Sequence, residues 1–234
     1  MKAGLVDVEA GSMISKRLRV DTPEPSTPDA VMTAVADLVA QLDAPGTIGI
    51  GFPTVIRSGW IYSANNIDKS WIGVNALEAF EEKLGRAVRL INDADAAGIA
   101  EARYGAAKDV SGTVLVLTFG TGIGSALIRD GRLIPNLEAG QLELNGVRPA
   151  ERQYSAKARR NEDLTWEEWG KRARDYVTLA YEVFNPDLIV IGGGISKFWD
   201  EFASHLSFDE VPTRPAALAN NAGIIGAAAL AFSD

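Results

Sequence analysis

The sequence predicts an α/β fold with mixed sheets, arranged as two lobes with a cleft between them. Antiparallel strand pairs are followed by alternating strands and helices, and this order occurs twice along the 234 residues. A chain of this length can bury enough apolar surface for one large domain or two small lobes. Since the two cycles meet near residue 108, we predict an N-terminal lobe over 1–108 and a C-terminal lobe over 109–234.

The first cycle begins with a hairpin. Residues 2–8 and 13–20 alternate in polarity on either side of a short turn, which predicts two antiparallel strands. A proline-rich loop then leads to a helix over 29–42, which starts near Pro28 with Thr27 as its N-cap. The later elements of this cycle are a strand over 47–51, a helix over 76–84, a strand over 88–91 and a helix over 94–104.

The second cycle also begins with strands. Asp130-Gly131 favours a tight turn between two of them, and Thr165 with Glu168 favours a capped helix start. The predicted elements are strands over 113–119, 123–129, 132–134 and 188–191, a long helix over 165–184, and a last helix over about 223–232 rich in glycine and alanine.

The composition is that of an ordinary folded protein, with 47% hydrophobic and 23% charged residues. No apolar run approaches the roughly 20 residues that cross a bilayer, and Asp7 comes too early for a signal peptide. The absence of cysteine excludes disulfides and thiolate metal sites. We therefore expect a cytoplasmic enzyme without a membrane partner.

The formal net charge of −8 argues against nucleic-acid binding, which requires a basic face. One basic cluster departs from this balance, in a stretch of 13 residues whose single acid is Glu151. Its members are Arg148, Arg152, Lys157, Arg159 and Arg160. Two interpretations stay open: a solvated loop, or a track for phosphate chains whose charge the cations compensate.

The most informative segment is the turn between Leu117 and Ser125. A strand leads three glycines and several hydroxyl groups into this turn, where consecutive N–H groups can form a nest for an anion. The alternative is a glycine-rich β-hairpin without a ligand. The candidates for phosphate binding are Thr118, Gly120, Thr121 and Gly122.

Asn92 and Asp93 lie where a buried strand gives way to a helix, at the strand end where ligands bind in open α/β sheets. A carboxylate there can accept the proton of an attacking hydroxyl during in-line phosphoryl transfer. The alternative is structural: Asp93 is the N-cap of the helix, and the helix dipole favours Asp95.

Other segments also have two interpretations. The run Gly192-Gly193-Gly194 suits a phosphate near a helix N-terminus, or close packing of a helix on the sheet. The polar run from Ser63 to Trp71 fits a sugar site, but Asn and Asp also populate turns and Trp71 fits a core. The spacing of Glu138 and Gln141 is a weak signal by itself.

Six words of the sequence, in order, are NNIDKSWIG at 65–73, LINDADAAG at 90–98, LTFGTGIGS at 117–125, LIPN at 133–136, GGGIS at 192–196 and AGIIGAA at 222–228. Together they resemble the ROK family of sugar kinases and regulators, and most closely its polyphosphate-glucokinase branch. The resemblance covers nearly the whole chain. It implies an actin-like, two-lobe fold, usually homodimeric, that transfers a phosphoryl group from polyphosphate or ATP, with Mg²⁺, to the 6-hydroxyl of glucose.

The resemblance also implies a role for each matching residue. Asp93 looks like the catalytic base, Asn92 like a sugar ligand beside it, and Lys69 like a contact for phosphate or polyphosphate. The further sugar-contact positions are Asn66, Glu138, Gln141 and Glu151. The positions that resemble phosphate or nucleotide contacts are Thr118, Gly120, Thr121, Gly122, Gly193 and Gly194.

The chain departs from the family pattern in two places. Gln141 stands where the family has a histidine that orders the sugar ring, and glutamine can hydrogen-bond to hydroxyls but cannot carry charge. The single histidine, His205, lies in a predicted helix, where we expect it at the surface. The N-terminal lobe is also expected to lack the family's first strand and its Asp-x-Gly-Gly-Thr phosphate loop.

These departures motivate an alternative, a sugar-binding homologue with impaired catalysis. A transcriptional regulator is disfavoured, because the sequence has neither a helix-turn-helix segment nor a basic balance.

Overall fold

The computed structural model describes residues 1–232, which form two compact units. The first contains residues 1–100 together with the chain from Asn221 onward, and the second contains residues 101–220. Each unit has hydrophobic clusters of its own. The structure thus divides the chain differently from the predicted boundary at residue 108, since its last helix belongs to the first unit.

The N-terminal hairpin is present, although it is interrupted. Its strands are β1 (Lys2–Ala3), β2 (Val6–Asp7), β3 (Ser12–Met13) and β4 (Leu18–Arg19). β1 pairs with β4 and β2 pairs with β3, both antiparallel. A Cβ on Gly4 would lie 2.1 Å from the terminal carbon of Met13, so the glycine between the strand segments leaves room for that side chain.

The rest of the first unit combines helices with two strand pairs. Its elements are α1 (Pro28–Leu42), β5 (Ile48–Phe52), β6 (Ile56–Arg57), β7 (Trp60–Ile61), α2 (Ala76–Leu84), β8 (Val88–Asn92) and α3 (Asp93–Tyr104), whose last turn belongs to the second unit. β5 and β8 are parallel, whereas β6 and β7 are antiparallel. Thr27 is the N-cap residue of α1 as predicted, but its side chain makes no capping hydrogen bond.

An aromatic cluster holds the core of the first unit. Trp71 is fully buried, with its ring centroid 4.7 Å from that of Phe52 and 6.0 Å from that of Phe80. Such pairs contribute about 0.5–1.5 kcal/mol each beyond their buried area. The indole nitrogen of Trp71 donates to the Ser26 carbonyl at 2.9 Å, so the buried ring is also satisfied as a donor. Trp71 is therefore a core residue, and it anchors the polar segment that precedes it.

The second unit is built on a mixed sheet, as predicted, with five strands where the sequence predicted four. Its strands are β9 (Thr113–Phe119), β10 (Ile123–Arg129), β11 (Arg132–Ile134), β12 (Leu188–Gly193) and β13 (Thr213–Pro215), in the order β11-β10-β9-β12-β13. β9, β10 and β11 are antiparallel neighbours, while β12 runs parallel to both β9 and β13. The first four residues of β12 are at most 1% exposed, which explains its unbroken apolar run.

The remaining helices are α4 (Glu151–Tyr154), α5 (Ala156–Asn161), α6 (Trp166–Phe184), α7 (Trp199–Phe202) and α8 (Ala222–Ala231). The predicted capping box of α6 is present, because Thr165 and Glu168 exchange hydrogen bonds. Among residues 1–232 there is no helix long and apolar enough to cross a membrane.

Small residues explain why α8 joins the first unit. A Cβ on Gly226 would lie 1.7 Å from the Ala96 carbonyl oxygen, and one on Gly49 would lie 2.0 Å from the Ala227 carbonyl oxygen. Backbones can approach this closely only where side chains are absent. The glycines of α8 and β5 therefore let α8 pack directly on α3 and β5.

His205 does not lie where the sequence predicted. It sits in a 3₁₀ turn (Ala203–Leu206) rather than an α-helix, and its half-buried ring faces Gly170 on α6. A Cβ on Gly170 would lie 2.5 Å from the ring carbon Cδ2. The expectation of a surface histidine is therefore wrong: the ring fills a gap that the glycine leaves.

Candidate active site

Asp93 begins α3 directly after β8, and Asn92 rather than Asp93 caps that helix. The Asn92 Oδ1 atom accepts hydrogen bonds from the backbone N–H groups of Ala94 at 2.8 Å and Asp95 at 3.1 Å. These are donors that a helix N-terminus leaves unsatisfied. The capping interpretation of Asp93 is therefore wrong, because Asn92 is the residue that caps α3.

Asp93 is exposed as a residue, yet the protein packed around its carboxylate disfavours the charged form. Desolvation raises its pKa, and this effect outweighs the backbone N–H groups of Ala94 and Asp93 itself, which lower it. A solvent-accessible carboxylate with a raised pKa is a better proton acceptor than an ordinary aspartate. This is the chemistry that a base for a hydroxyl group needs.

Asn92 is more buried and more engaged than a ligand residue usually is. Its side chain is 7% exposed, and its Nδ2 atom donates to the Thr54 carbonyl at 3.1 Å. With Oδ1 accepting two N–H groups, Asn92 acts in this structure as a positioning residue for the start of α3. Its role as a sugar ligand stays a prediction. One hydrogen of Nδ2 is not used by the bond to Thr54 and could be donated to a sugar hydroxyl.

Thr54 is a buried residue of the site that the sequence did not suggest. Its hydroxyl is at 2.5 Å from the Ser63 carbonyl, to which it donates, while its own carbonyl accepts from Asn92. Thr54 thereby ties the start of α3 to the polar segment that begins at Ser63. Its position two residues after β5, the strand beside β8, is the signal that could have identified it.

The polar segment presents two unpaired side chains on a fixed backbone. Asp68 accepts the Ser70 N–H at 2.8 Å, and its own N–H donates to the Ser26 hydroxyl at 3.1 Å. Hydrogen bonds from Ser70 lower the pKa of Asp68. The exposed amide of Asn66 and ammonium of Lys69 make no hydrogen bond or ion pair within residues 1–232, so both are available to a ligand.

In the second unit, the turn between β9 and β10 has the open backbone of an anion site. The Gly120 N–H donates to the Gly122 carbonyl at 2.9 Å, while the N–H groups of Thr121 and Gly122 have no partner among the described residues. A Cβ on Gly120 would meet nothing within 4 Å. Thr118 lies just before the turn, in register with Gly124 on one side and Gly192 on the other.

The second glycine run lies beside this turn, because Gly193 pairs with Phe119 at the end of β9. Gly193 has φ +84°, and a Cβ there would lie 2.4 Å from the Phe119 carbonyl oxygen. Close packing thus explains Gly193. Gly194 has open space around its Cα, so its backbone is the part of the run that a ligand can approach. Both glycine segments follow the carboxyl ends of parallel strands.

Gln141 and Glu151 meet next to the same turn. Glu151 Oε2 accepts the Ile123 N–H at 3.0 Å, and Glu151 Oε1 accepts from Gln141 Nε2 at 3.3 Å. A Cβ on Gly122 would lie 2.1 Å from Glu151 Oε2, so only glycine allows this approach. Gln141 is thus accommodated as a hydrogen-bond donor at the position where the family has histidine.

Glu138 stands exposed before the 3₁₀ turn Ala139–Gln141, which packs on β10. A Cβ on Gly140 would lie 2.4 Å from the Ile123 carbonyl oxygen. The candidates thus form two sets, each within one unit. Asn66, Lys69, Asn92 and Asp93 belong to the first unit, and Thr118, Gly120, Thr121, Gly122, Glu138, Gln141, Glu151, Gly193 and Gly194 belong to the second.

Comparison with known proteins gives consistent matches. A family model described as "ROK family" matches residues 1–142. A polyphosphate glucokinase from Mycobacterium tuberculosis is 43% identical over 235 residues, which cover 100% of this chain and 88% of the relative. A similar protein from Mycobacterium leprae is 40% identical, with 100% of this chain and 72% of the relative covered.

Solved structures agree. The inorganic polyphosphate/ATP-glucomannokinase from Arthrobacter sp. strain KM superposes with a TM-score of 0.93 at 47% identity, covering 97% of this chain and 92% of the other. A ROK family glucokinase from Streptomyces griseus, solved with glucose and AMPPNP, has a TM-score of 0.84 at 23% identity, covering 97% and 94%. The second match shows the fold alone, and the two together confirm the predicted actin-like sugar-kinase fold.

Proposed function

Because the chain belongs to the ROK family, we propose that it is a kinase that phosphorylates glucose with polyphosphate or ATP as the donor. The relatives that match the whole chain are polyphosphate glucokinases and a polyphosphate/ATP-glucomannokinase. One structural observation supports the chemistry most directly. Asp93 is an exposed residue with a raised pKa, and it does not cap α3, because Asn92 does.

In the proposed reaction Asp93 is the base. As the 6-hydroxyl oxygen of glucose attacks the terminal phosphorus of the donor, its proton passes to the Asp93 carboxylate, and the bond from that phosphorus to the leaving oxygen breaks. The shortened polyphosphate or ADP departs with the electron pair. Asp93 then returns the proton to solvent, for which its accessible position is suited.

The remaining candidates hold the two substrates. The free N–H groups of Thr121 and Gly122, with the Thr118 and Thr121 hydroxyls, would bind the transferring phosphoryl group as an anion nest does. The accessible backbone at Gly194 and the Lys69 ammonium would contact the rest of the donor. The side chains proposed to bind sugar hydroxyls are Asn66, Asn92, Glu138, Gln141 and Glu151.

Mg²⁺ is proposed to accompany the donor. This ion keeps several waters and usually takes one or two carboxylates together with substrate phosphates. Within the part of the chain that the structure describes, no three His, Cys, Asp or Glu side chains group as a metal cage. Such an ion would be held mainly by phosphate oxygens and water, and it would neutralise charge on the transferring group.

We also propose that the protein is a cytoplasmic homodimer that acts on glucose entering glycolysis. The family resemblance is the support for the dimer, and light scattering after size exclusion tests it. A monomer at micromolar concentration would contradict the dimer without touching the proposed reaction.

The reaction is tested by coupling glucose 6-phosphate formation to a dehydrogenase, with polyphosphate and ATP as alternative donors. We expect product from at least one donor. Asp93→Asn should lower kcat by about 10²–10⁴-fold, the usual contribution of a general base. Glucose binding, followed by calorimetry, should persist in this variant.

Two outcomes would overturn parts of the proposal. If neither donor gives product while glucose still binds, the protein is a sugar-binding homologue without kinase activity. If Asp93→Asn keeps full activity, Asp93 is not the base.

A further inference from the structure

Residues 148–160, which follow the 3₁₀ turn Ala139–Gln141, carry four exposed cations. They are Arg148, Arg152, Lys157 and Arg160. None of these side chains makes an ion pair or hydrogen bond within residues 1–232. The fifth cation of the sequence cluster, Arg159, is different: it is half-buried and its guanidinium lies 3.7 Å from the centre of the Trp166 ring. The basic strip, defined by the four exposed cations, is thus narrower than the sequence suggested.

The acids near the basic strip offset its charge only in part. Glu151 turns its carboxylate toward Ile123 and Gln141, and Glu162 pairs with Arg172 at 2.7 Å. Asp163, three residues beyond Arg160, is exposed and offsets one of the four charges. Residues 148–161 hold five cations and one acid, a net +4 in a chain whose formal net charge is −8. A local positive field of this kind attracts a polyanion even when the whole protein is acidic.

Hydrogen bonds fix the basic strip to the glycine turn. The backbone N–H of Lys157 donates to the Gly120 carbonyl at 3.0 Å, and Glu151 accepts the Ile123 N–H at 3.0 Å. The Ser155 hydroxyl caps α5, and its carbonyl accepts from the buried Trp169 indole at 3.3 Å. The segment that carries the cations is therefore hydrogen-bonded to the proposed phosphate-binding backbone at two points.

Helical spacing brings two of the four cations onto one face of α5. Lys157 and Arg160 are three residues apart in α5, which places them on one face. The small residues Ala156 and Ala158 lie buried beneath them, as does Tyr154 in α4. Residues 148–161 thus offer a ligand four exposed cations, two of them on one face of α5, and no exposed aromatic ring.

We propose that the basic strip binds the phosphates of a polyphosphate chain that lie beyond the one being transferred. This inference rests on the proposed function, since it assigns the donor's distal part to a place beside the glycine turn. A single-stranded nucleic acid would need aromatic side chains on which bases stack, and the strip has none. A polymer of phosphates alone supplies charge without bases and fits what the strip offers.

The test replaces all four cations with glutamine, as R148Q/R152Q/K157Q/R160Q. A matched control, K16Q/R19Q/K108Q/R132Q, removes four exposed and unpaired cations elsewhere. We expect the ratio of KM for long-chain polyphosphate to KM for ATP to rise at least about tenfold in the strip variant and to stay unchanged in the control. The dependence of log KM for polyphosphate on log salt should flatten by up to roughly 0.7 per cation removed.

Direct binding separates this inference from the proposed function. Long-chain polyphosphate should bind the unchanged protein and bind the strip variant at least about tenfold more weakly, whether or not product forms. An unchanged KM ratio together with unchanged binding would overturn the inference. So would an equal loss in the control variant, or binding of a single-stranded RNA homopolymer as tight as that of polyphosphate. Circular dichroism melting checks that both variants are folded.

Discussion

Asp93 in the first unit and Glu151 in the second are both candidate carboxylates, yet their surroundings differ. Asp93 begins a helix that Asn92 caps, and no other side chain engages its carboxylate among the described residues. Glu151 instead receives the Ile123 N–H and the Gln141 amide. Because Asn92 caps the helix, Asp93 does not have to do so and its carboxylate is available for proton transfer. Glu151 is a structural clamp, since each of its oxygens accepts one hydrogen bond from the protein, and each oxygen keeps a lone pair for a sugar hydroxyl.

A side chain at position 122 would disrupt the hydrogen bond between Glu151 and Ile123. In Gly122→Ala the new Cβ would lie 2.1 Å from Glu151 Oε2, which must move and give up its bond to Ile123. Loss of a charged hydrogen bond at a packed position costs about 1.5–3 kcal/mol. We expect the free energy of unfolding to fall by about that amount and KM for the donor to rise, as measured by urea unfolding and steady-state kinetics.

Gly120→Ala is the matched control, because a Cβ there meets nothing within 4 Å. It should change stability by less than about 1 kcal/mol. Equal effects of the two substitutions would show that Glu151 does not depend on the space at Gly122.

The accessibility of Asp93 can be removed by deleting its neighbour's cap. Asn92→Ala loses two accepted hydrogen bonds and one donated bond, which should cost about 1–3 kcal/mol. The unsatisfied N–H groups would then draw the Asp93 carboxylate toward the helix and lower kcat. Unfolding and kinetics on the same preparation measure both effects.

Asn92→Ser separates capping from the bond to Thr54, because serine is a good N-cap but its shorter side chain cannot donate to the Thr54 carbonyl in the same way. It should recover much of the stability lost in Asn92→Ala. If stability returns but kcat does not, Asn92 also acts beyond capping.

The smallest expected effect is a shift of the pH profile. The base must be ionised to accept a proton, and desolvation raises the pKa of Asp93 above its ordinary value of 3.8. The acid limb of kcat/KM should therefore lie at higher pH than that value. A limb at or below 3.8 would contradict a desolvated base.

The same shift has a consequence for stability, with the opposite sign to that of a salt-bridged aspartate. The unfolded chain ionises Asp93 first, so stability falls as pH rises from the unfolded pKa to the folded one and stays lower above it. Asp93→Asn removes this cost. It should melt at a higher temperature than the unchanged protein at neutral pH, and no difference should remain below both pKa values.

Much of the fold could be predicted because its signals are local. Alternation and helical spacing predict β9, β10, β12 and α6 close to their observed bounds. The types and spacing of Thr165 and Glu168 predict the capping box that the structure contains. The family words identified the glycine turn and the Asn92-Asp93 pair. The division of roles within that pair could not be read, since both residues are suitable caps at adjacent positions.

What escaped prediction depends on residues far apart in the chain. Thr54 became part of the site through Asn92, and α8 joined the first unit through glycines at positions 49 and 226. Neither pairing leaves a periodic pattern. Arg159 belongs to the basic cluster of the sequence but not to the exposed strip, because its guanidinium stacks on the Trp166 ring.

Local sequence signals were sufficient to predict the long elements, their order and the residue types available for phosphoryl transfer. Only the folded chain shows which of those side chains the protein itself engages. The side-chain oxygen of Asn92 accepts backbone N–H groups, and both carboxylate oxygens of Glu151 accept hydrogen bonds from the protein. Asp93, in contrast, is an exposed residue. The physical reason is that every buried backbone donor must find an acceptor, and only the folded chain shows which side chain supplies it.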